Sequence, residues 1–556
     1  MTRRRVAVVL GGLVIVVVAA GAMVVVAPGI LRGGRVTPTV AGAAPRFVDE
    51  TAAAGIDHTY DGDATFATGG GMAAFDCDND GRPDLYFAGG GNPAALYRNE
   101  SAPGGALAFT RVADPVTDVV GVNGAYPLDI DGDGNVDLAI LQVGGAHLLR
   151  GLGDCRFEKA DGSWGFDGGG GFATAFSATW EGAATLPTLA VGNYLQLDAS
   201  GKLTSDCAAS LLLRPAADGS SYAPGVPLTP GYCTLSMLFS DWDRSGRRDL
   251  RVTNDRQYYT DGEDQLWRIQ PGEPPRVYTA DEGWVSMQIW GMGIASDDVT
   301  GDGYPDVFLT SQGDNKLQTL ATGPAQPSYR DIALKRGVTA AQPFTGGDAL
   351  PSTAWHPEFQ DVNNDGFVDL FVSKGNVSAM PDYAAKDPSN LLLGQPDGTF
   401  VEGAGDAGIV TFDRGRGAVV TDLNADGLPD LVEVNLGAPV RMWRNVGAGT
   451  ATAPAAMGHW LGIALQQPGG NRDAIGSWVD VRIGDAVVQR EITVGGGHIG
   501  GARVPLHVGL GPATQVDVRV HWPDGETGPW LPATADQVIV VERGAAGVRP
   551  FQAARP

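Results

Sequence analysis

The sequence predicts an all-β protein: a seven-bladed β-propeller followed by a small β-sandwich-like domain, with one N-terminal transmembrane helix. Three observations lead to this prediction. An Asp-rich motif of nine residues recurs at near-regular intervals, short apolar or alternating runs lie between tight turns, and a long uncharged segment opens the chain. The high content of Gly (81) and Pro (36) among 556 residues also favours many short strands joined by turns.

The chain begins with a basic flank and a long apolar segment. Arg3, Arg4 and Arg5 precede the uncharged run Val6–Leu31, whose apolar core of 22 residues ends at Ala27. As a helix, this core is roughly 33 Å long, enough to cross a hydrocarbon layer of about 30 Å. The basic flank predicts a single-pass membrane protein with its N-terminus in the cytoplasm and the propeller outside. The alternative is a cleaved signal peptide on a secreted protein, although the apolar region of such peptides is shorter.

The nine-residue motif has Asp at positions 1 and 9, Gly at position 6, and mostly Asp, Asn, Thr or Ser at positions 3 and 5. Its six copies begin at residues 76, 129, 241, 298, 361 and 422, mostly 53 to 63 residues apart. One gap of 112 residues is about double, and a degenerate copy fills it at Trp180–Leu195, with Thr188 where the last Asp is expected. Seven units of this length fit four-stranded propeller blades, and a long solenoid is the alternative.

The repeats and the composition divide the chain into six segments. From residue 458 onward, apolar and polar residues alternate, for example in Trp478–Ile483 and Val516–Val520, which is typical of strands in a small sandwich. The predicted segments are an anchor at 1–31, a linker at 32–45, the propeller at 46–446, a second linker at 447–457, the sandwich-like domain at 458–543 and a tail at 544–556.

Each of the six motif copies, which we call acid loops, is predicted to bind one calcium ion, giving up to six Ca²⁺. Calcium takes six to eight oxygen ligands. Positions 1, 3, 5 and 9 supply side-chain oxygens, position 7 supplies its main-chain carbonyl, and Gly at position 6 permits the tight curl. The predicted ligands are Asp76, Asp78, Asp80, Arg82 and Asp84; Asp129, Asp131, Asp133, Asn135 and Asp137; Asp241, Asp243, Ser245, Arg247 and Asp249; Asp298, Thr300, Asp302, Tyr304 and Asp306; Asp361, Asn363, Asp365, Phe367 and Asp369; and Asp422, Asn424, Asp426, Leu428 and Asp430.

Asp and Gly favour turns even without a metal ion. That explains one acid loop but not six copies with the same positions filled. Without a cation, each loop also crowds several like charges together, which is unfavourable. We expect the loop with Ser245 to bind most weakly, and the degenerate copy at Trp180 to bind nothing. Magnesium is disfavoured because it keeps its waters and requires a strict octahedron.

Charge and cysteine content narrow the function classes further. The net charge is −25, without a basic stripe that would neutralise phosphates, which argues against nucleic acid as a partner. The four cysteines include no CxxC pair that would indicate a zinc ribbon or a thioredoxin-like motif. In an oxidising compartment, Cys207 and Cys233 would form a disulfide between residues close in sequence, and Cys77 and Cys155 would then form the second disulfide. Four cysteines nevertheless allow three connectivities.

The motifs also resemble a known family. The acid-loop units resemble the FG-GAP or VCBS repeats of integrin-α-type propellers. The region 458–543 resembles the ASPIC/UnbV domain in four stretches: Gly470–Gly476, Gly495–Gly497, His507–Gly511 and Val520–Gly525. The combination is similar to the cartilage acidic protein family and covers nearly everything after residue 46. This resemblance implies a secreted or surface-exposed calcium-binding protein, without a settled activity.

The sequence contains no HExxH, GxSxG or P-loop motif, so no catalytic residue is assigned. The one polar cluster of interest combines His498 and His507 with Arg472 and Asp473, and the alternative is that Asn471–Asp473 simply forms a turn. The favoured function is a non-enzymatic scaffold that binds an extracellular protein or glycan. The alternative is a calcium-dependent enzyme acting on polysaccharide or another extracellular substrate, which requires a base and a carboxylate facing each other near the metal.

Overall fold

The computed structural model describes residues 42–255 and 262–552. Within these residues the protein is all-β, apart from four short helical turns, and it consists of a ring of seven sheets, a two-stranded hairpin inserted in the third of them, and two further sheets after the ring. The helical turns are two 3₁₀ turns, Ala64–Phe66 and Ala280–Glu282, and two single α-helical turns, α1 (Ala333–Arg336) and α2 (Ala404–Ala407).

The first three sheets, or blades, follow one another along the chain. The chain enters through β1 (Phe47–Asp49) and forms blade 1 from β2 (Met72–Phe75), β3 (Asp84–Phe87), β4 (Ala95–Asn99) and β5 (Phe109–Val112). Blade 2 consists of β6 (Val122–Leu128), β7 (Asp137–Gln142), β8 (Gly145–Gly151) and β9 (Phe157–Lys159). Blade 3 begins with β10 (Ala173–Thr179) and β11 (Thr188–Asn193), continues after an inserted hairpin of β12 (Leu195–Leu197) and β13 (Leu203–Cys207), and ends with β14 (Ser210–Leu213) and β15 (Val226–Leu228).

The remaining four blades repeat the same plan. Blade 4 consists of β16 (Thr234–Ser240), β17 (Asp249–Asn254), β18 (Gln265–Arg268) and β19 (Arg276–Val277). Blade 5 consists of β20 (Gly291–Asp297), β21 (Asp306–Ser311), β22 (Lys316–Leu320) and β23 (Tyr329–Asp331), and blade 6 of β24 (Ala354–Gln360), β25 (Asp369–Lys374), β26 (Asn390–Gly394) and β27 (Phe400–Glu402). Blade 7 uses β28 (Gly415–Thr421), β29 (Asp430–Asn435) and β30 (Ala438–Asn445) and takes its fourth strand from β1.

The ring closes through both its innermost and its outermost strands. Each innermost strand contacts the innermost strand of the next blade, including β28 of blade 7 against β2 of blade 1. At the rim, β1 pairs with β30 in antiparallel register, with Phe47 opposite Asn445. A buried ion pair of 2.8 Å between Arg444 and Glu50 joins the same two ends of the chain. The closure leaves few free sheet edges, which is the advantage of a radial arrangement.

Small side chains allow the innermost strands to approach each other around the axis. β10 reads Ala-Thr-Ala-Phe-Ser-Ala-Thr and is buried along its whole length, as are β6 and β28. Because neighbouring blades cover both faces of these strands, the strands lack the alternation of a half-exposed strand. Their burial places the propeller core between the blades.

The C-terminal module (residues 459–550) is a sandwich of two four-stranded sheets. Its strands are β31 (His459–Gln466), β32 (Trp478–Ile483), β33 (Ala486–Glu491), β34 (Gly501–Arg503), β35 (Leu506–Gly511), β36 (Gln515–His521), β37 (Leu531–Thr534), β38 (Gln537–Glu542) and β39 (Arg549–Pro550). The sheet orders are β35-β31-β38-β39 and β33-β32-β36-β37, and buried aliphatic side chains such as Ile463 and Val481 fill the space between them. Because β39 pairs with β38, the module extends past the predicted boundary at residue 543.

The module lies on one face of the propeller, at the ends where the first strand of each blade turns into the second. We call this side the loop face. In every blade, the loop or the adjoining strand end contacts the module. The contacting pairs are Phe75 with Arg503, Gly134 with Arg472, Thr185 with Gly470, Asp241 with Glu491, Asp297 with Arg490, Asp361 with Gly509 and Gly427 with Trp460.

One segment of the module, residues 494–503, enters the centre of the ring, and we call it the channel segment. The amide of Gly496 donates to the carbonyl of Met237 at 2.7 Å, and the amide of Gly497 donates to that of Ile294 at 2.7 Å. Further bridges join the channel segment to the innermost strands of blades 2 and 3, and β34 pairs in parallel with β2 of blade 1. The channel segment is therefore held by backbone hydrogen bonds to several blades.

His498 lies fully buried at the centre of the channel segment. Its ring nitrogens are 2.9 Å from the Thr68 carbonyl and 3.2 Å from the Met292 carbonyl, and its backbone amide donates to Nδ1 of His356 at 3.1 Å. Its ring packs on Trp355 with centroids 4.9 Å apart. Burial lowers the pKa of His498 to about 3, so the ring is neutral at pH 7.

Both predicted disulfides are present. Cys77 pairs with Cys155 and Cys207 pairs with Cys233. Two disulfides indicate an oxidising, extracytoplasmic compartment. Among the described residues, no helix is both long and apolar enough to span a bilayer. The predicted membrane anchor at residues 1–31 lies outside the described residues, so it stays a prediction.

Candidate calcium sites

The six acid loops occupy equivalent places in six blades. Each connects the innermost strand of its blade to the second strand, and position 9 is the first residue of that second strand. The degenerate copy at Trp180 connects β10 to β11 in the same way, with Thr188 as the first residue of β11. All predicted ligands therefore lie on the loop face, beneath or beside the C-terminal module.

All six acid loops share one backbone shape. The residues at positions 4 and 6 adopt positive φ in every copy. At position 6 the residue is always Gly, with φ between 81° and 91°. The residues at position 4 are Asn79, Gly132, Arg244, Gly301, Asn364 and Ala425, with φ between 56° and 74°. Two left-handed residues within three positions curl the chain tightly enough to direct several side chains inward.

The position-1 carboxylate holds this curl from inside. In blade 6, Asp361 accepts hydrogen bonds from the amides of Asp365 at 3.0 Å and Gly366 at 2.8 Å. The amides of positions 5 and 6 make the same pair of contacts in blades 1, 5 and 7. In blades 2 and 4, the amide of position 6 donates to the carboxylate in the same way. The backbone amides thus fix the orientation of this carboxylate.

The position-9 carboxylate connects the loop to the rest of its blade. Asp84 accepts from the amide of Cys77 at 2.7 Å and from that of Asn99 at 2.8 Å. Equivalent pairs of amides bind the position-9 carboxylates of blades 2, 6 and 7. Blade 5 differs, because Asp306 accepts from the amide of Thr300 at 2.7 Å.

In blades 1 and 2, three carboxylates of one loop converge. Oxygens of Asp76, Asp78 and Asp84 lie within 4.8 Å of one another, and so do those of the equivalent residues in blade 2, Asp129, Asp131 and Asp137. A set of carboxylate oxygens around a tight curl is the donor chemistry that calcium prefers. The residues present therefore fit a calcium ion. A third group combines Asp84 with the two sulfurs of the Cys77–Cys155 disulfide, which are not available as thiolate ligands.

Burial makes these carboxylates unfavourable as isolated charges. It raises the pKa of Asp84 and Asp137 to about 8 and that of Asp306 to about 7. For Asp369 and Asp430, burial and then the neighbouring carboxylates raise the pKa well above the ordinary range. A divalent cation bound among them would compensate the negative charge and favour the ionised forms.

The acid loop of blade 4 has an arginine among its carboxylates. Nε of Arg247 lies 3.0 Å from Asp249, and Nη2 lies 3.4 Å from Asp243. Asp249 also accepts hydrogen bonds from Trp242 Nε1 at 2.9 Å and Tyr278 Oη at 2.8 Å. The guanidinium thus bridges positions 3 and 9, which supply two of the predicted calcium ligands in the other loops.

Arginines near the loops of blades 1 and 2 are placed differently. Arg150 contacts Asp131 at 2.8 Å and Asp133 at 2.9 Å, from a position 37% exposed. Arg82 contacts Asp80. These pairs involve positions 3 and 5, whereas Arg247 reaches the fully buried position 9 as well.

The degenerate loop of blade 3 has lost the carboxylate cluster. Oε1 of Glu181 accepts from Thr188 Oγ1 and from Arg214 Nε, each at 2.7 Å. An uncharged hydroxyl stands where the other blades have the position-9 carboxylate. The expectation that this copy binds no calcium stays a prediction, and the arginine pairing gives it a physical basis.

Two asparagines that the sequence analysis missed join neighbouring loops. Asn99 of blade 1 donates to the Leu423 carbonyl in the loop of blade 7 at 2.7 Å. Asn445 of blade 7 donates to the Val362 carbonyl in the loop of blade 6 at 2.8 Å. The signal in the sequence was an Arg-Asn pair at residues 98–99 and again at 444–445.

The polar cluster singled out from the sequence is dispersed over the interface between module and propeller. Arg472 lies against Gly134 of blade 2, and Asp473 forms an ion pair with Arg503 at 2.5 Å. His498 occupies the channel, and His507 lies 2.6 Å from Asn364 Oδ1 in the loop of blade 6. Arg472, His498 and His507 therefore contact the propeller, whereas Asp473 pairs within the module, and the four residues do not form one catalytic group.

A cavity of about 590 Å³ lies between the loop face and the C-terminal module. Glu358 Oε2 accepts from the Val420 amide at 3.0 Å and lies 3.3 Å from Nε2 of His356. Arg490 and Asp297 form an ion pair of 2.8 Å in its wall. The size is within the range of small-molecule pockets. These polar groups already connect blades 5 to 7 with the module, and we assign none of them a catalytic role.

Two family models match parts of the propeller and most of the C-terminal module. A family described as FG-GAP-like repeat matches residues 76–140 and 361–433, and a family described as ASPIC and UnbV matches residues 467–548. The chain has the cartilage acidic protein-like architecture. The first family covers acid loops of blades 1, 2, 6 and 7, and the second covers most of the C-terminal module. No curated protein sequence matches the chain.

Several solved structures are similar to this chain at low identity. An Agrocybe aegerita lectin that recognises non-reducing terminal N-acetylglucosamine has 14% identity and a TM-score of 0.38, over 67% of this chain and 93% of the lectin. The fucose-specific lectin of Aleuria aurantia has 12% identity and a TM-score of 0.33, over 60% and 94%. The surface component PorZ of Porphyromonas gingivalis has 11% identity and a TM-score of 0.39, over 87% and 60%. None of these likenesses bears on the function of the chain.

Proposed function

We propose that the protein is an extracytoplasmic, calcium-binding β-propeller that acts as a scaffold for an extracellular protein or glycan, held at the membrane by residues 1–31. The observation that carries the calcium part is the recurrence of one acid loop, with the same backbone curl, at equivalent positions in six blades. The two disulfides support the extracytoplasmic location.

The free face of the propeller is the surface that we assign to the ligand. The C-terminal module covers the loop face, and the channel segment enters the ring from that side. The connections between second and third strands, and those between blades, lie on the opposite face. They include the inserted hairpin of β12 and β13 in blade 3. Binding residues are commonly carried by such loops on a rigid scaffold.

We propose five calcium ions rather than six. In blade 4 the guanidinium of Arg247 supplies the positive charge between Asp243 and Asp249. An arginine in this place satisfies the same carboxylates by charge-assisted hydrogen bonds. The loop at Asp241, expected from its sequence to be the weakest site, then has no need of a metal ion.

Replacing Arg247 with alanine tests this assignment. We expect Arg247→Ala to raise the number of calcium ions bound at saturation by one, because the freed carboxylates of Asp243 and Asp249 become metal ligands. Native mass spectrometry measures the number directly. Arg150→Ala is the matched control, since Arg150 touches only positions 3 and 5 of its loop. We expect this variant to bind the same number of calcium ions as the unsubstituted protein. An unchanged count in Arg247→Ala contradicts the assignment.

Calcium removal tests the structural role of the ions. We expect chelation to lower the thermal midpoint of the full chain strongly, with recovery on adding calcium and not on adding magnesium. At a free calcium concentration 100 times the Kd, one site contributes about 2.7 kcal/mol to the free energy of unfolding, and the contributions of five sites add to one another. An identical melting curve in chelator and calcium would remove the calcium part of the proposal.

The scaffold part has a separate test. Incubating the calcium-loaded chain with immobilised glycans and extracellular polysaccharides distinguishes retention from turnover. Binding without any change in the polysaccharide is the expected result. Turnover that a chelator and a single acid-loop substitution both abolish would favour the enzymatic alternative instead.

A further inference from the structure

The contacts between the acid loops and the C-terminal module link calcium to the position of that module. We propose that cation binding in the acid loops locks the module onto the propeller and keeps the channel segment inside the ring. This inference rests on the proposed calcium binding and adds a conformational consequence to it. The argument depends on where the module touches the loops.

The module contacts the residues whose positions the curl determines. In blade 6, Asn364 at position 4 accepts a hydrogen bond on its carbonyl from the Gly511 amide at 2.9 Å. Its side-chain oxygen lies 2.6 Å from Nε2 of His507, and its side-chain nitrogen donates to the Gly427 carbonyl of the blade 7 loop at 2.8 Å. Asn364 has a φ of 58°, so these three contacts depend on a left-handed backbone conformation that only the curled loop imposes.

Position 6 of the neighbouring loop shows how closely the domains fit. A β-carbon added to Gly427 would lie 1.8 Å from Nε1 of Trp460. The ring of Trp460 stacks on His507 with centroids 5.7 Å apart. The indole therefore rests directly on the loop backbone, and a loop that opened by about 1 Å would forfeit up to about half of the dispersion energy of this contact.

The contacts between blade 4 and the module do not depend on a bound cation. Glu491 of the module accepts from the Asp241 amide at 2.8 Å and from Ser240 Oγ at 2.7 Å. Arg244 at position 4 lies over the Trp478 ring of the module at 3.9 Å. With Arg247 supplying the local charge, this contact is expected to persist without calcium and to keep the module tethered.

Like charges explain the direction of the effect. Without a cation, the acidic side chains of each of the five loops crowd together with no positive charge between them, most closely in blades 1 and 2, where three carboxylates lie within 4.8 Å of one another, and this crowding opposes the curl. Opening of these loops removes the contacts at positions 4 and 6, while the contacts at blades 3 and 4, whose loops need no cation, stay. The channel segment is continuous in the chain with strands β33 and β35 of the module, so we expect movement of the module to weaken its backbone hydrogen bonds to the inner strands.

Hydrogen exchange on the full chain measures this coupling at the channel segment. We expect amides within residues 494–503 to exchange about 5–150-fold faster in chelator than in calcium, the usual range for coupling between two sites. Strands β31 and β38, in the interior of the module, serve as the internal reference and stay protected. Equal exchange of the channel segment in both conditions overturns the inference. So does an equal acceleration of β31 and β38, because global unfolding would then explain the change.

A substitution inside the channel tests the reverse direction. A β-carbon on Gly124 of β6 would lie 1.8 Å from the Ile499 carbonyl oxygen, and this glycine does not need a positive φ. Gly124→Ala therefore displaces the channel segment without touching an acid loop. Coupling is reciprocal, so we expect calcium affinity to fall by the same factor, about fivefold or more. Gly170→Ala is the control, because no atom lies within 4 Å of its added β-carbon.

Calcium titration of these two variants separates the possible failures. Unchanged affinity in Gly124→Ala, together with faster exchange of the channel segment, overturns the coupling and leaves the calcium proposal intact. Absence of calcium binding in the unsubstituted protein overturns both.

Discussion

Replacement of Arg416 by methionine is expected to lower the free energy of unfolding by about 3–5 kcal/mol. Arg416 is fully buried at the start of β28, and its guanidinium packs on the Trp355 ring at 4.1 Å. Burial lowers its pKa to about 9, which leaves it charged at neutral pH. Methionine retains the apolar stem and removes the donors.

The loss arises from the carbonyl groups that the guanidinium satisfies. Arg416 donates to Ala67 of the segment before β2, to Asn376 and Val377 after β25, and to its own neighbour Gly415, at 2.8 to 3.1 Å. These carbonyls belong to blades 1, 6 and 7, so the side chain closes the ring at the point where its two ends meet. Each buried carbonyl left without a donor costs about 1 kcal/mol or more.

Urea unfolding of the calcium-loaded protein measures the effect. Arg330→Met is the control, because Arg330 is exposed on the outer strand β23 and its loss should change stability by less than about 0.5 kcal/mol. A loss below about 1 kcal/mol for Arg416→Met would contradict the role of Arg416 in ring closure.

Removal of the Cys77–Cys155 disulfide is the second large effect. The Cys77→Ser, Cys155→Ser variant is expected to lose about 4–5 kcal/mol of stability, because the bridge closes a loop with a sequence separation of 78 residues. Cys77 is also position 2 of the first acid loop, and its amide donates to Asp84. We therefore expect weaker calcium binding at blade 1 in addition to the loss of stability.

The second disulfide supplies the control for the calcium effect. Cys207–Cys233 has a sequence separation of 26 residues and joins the inserted hairpin of blade 3, whose loop has lost its acidic motif, to the residue before β16 of blade 4. Its removal should cost about 3–4 kcal/mol without changing calcium affinity at any site. Calorimetric titration of both double variants gives the affinities. If they weaken calcium binding equally, general destabilisation explains the change and the local role of Cys77 is wrong.

The periodic Asp motif was sufficient to predict the propeller, because in six blades the same acid loop joins the innermost strand to the second strand. The position of the degenerate copy was also predicted correctly. Thr188 is the first residue of β11, just as the position-9 Asp is the first residue of the second strand in the other six blades. Gly at position 6 was also predicted from its conformational freedom. Position 4 was missed, because residues as different as Asn79, Arg244 and Ala425 adopt positive φ there. No residue type marks that position, and the surrounding hydrogen bonds impose its conformation.

The arrangement of the two domains was not predictable from local pattern. Gly495–Gly497 stood out in the sequence only as part of a family resemblance, yet these residues lie in the centre of the propeller. Their partners, such as Met237 and Ile294, are about 200 residues or more away in the chain. Contacts of this kind depend on the shapes of two completed domains. The role of the Arg247 side chain was also missed. The sequence analysis expected this residue to contribute only its main-chain carbonyl to a calcium site.

The central claim is that the acid loops bind calcium, and the number of ions per chain at saturating calcium tests it most directly. Native mass spectrometry of the full chain gives this number without a ligand or an activity assay. The account predicts five ions, one in each acid loop except that of blade 4. Six would contradict the assignment of Arg247 as the resident cation of that loop, and none would contradict the account as a whole.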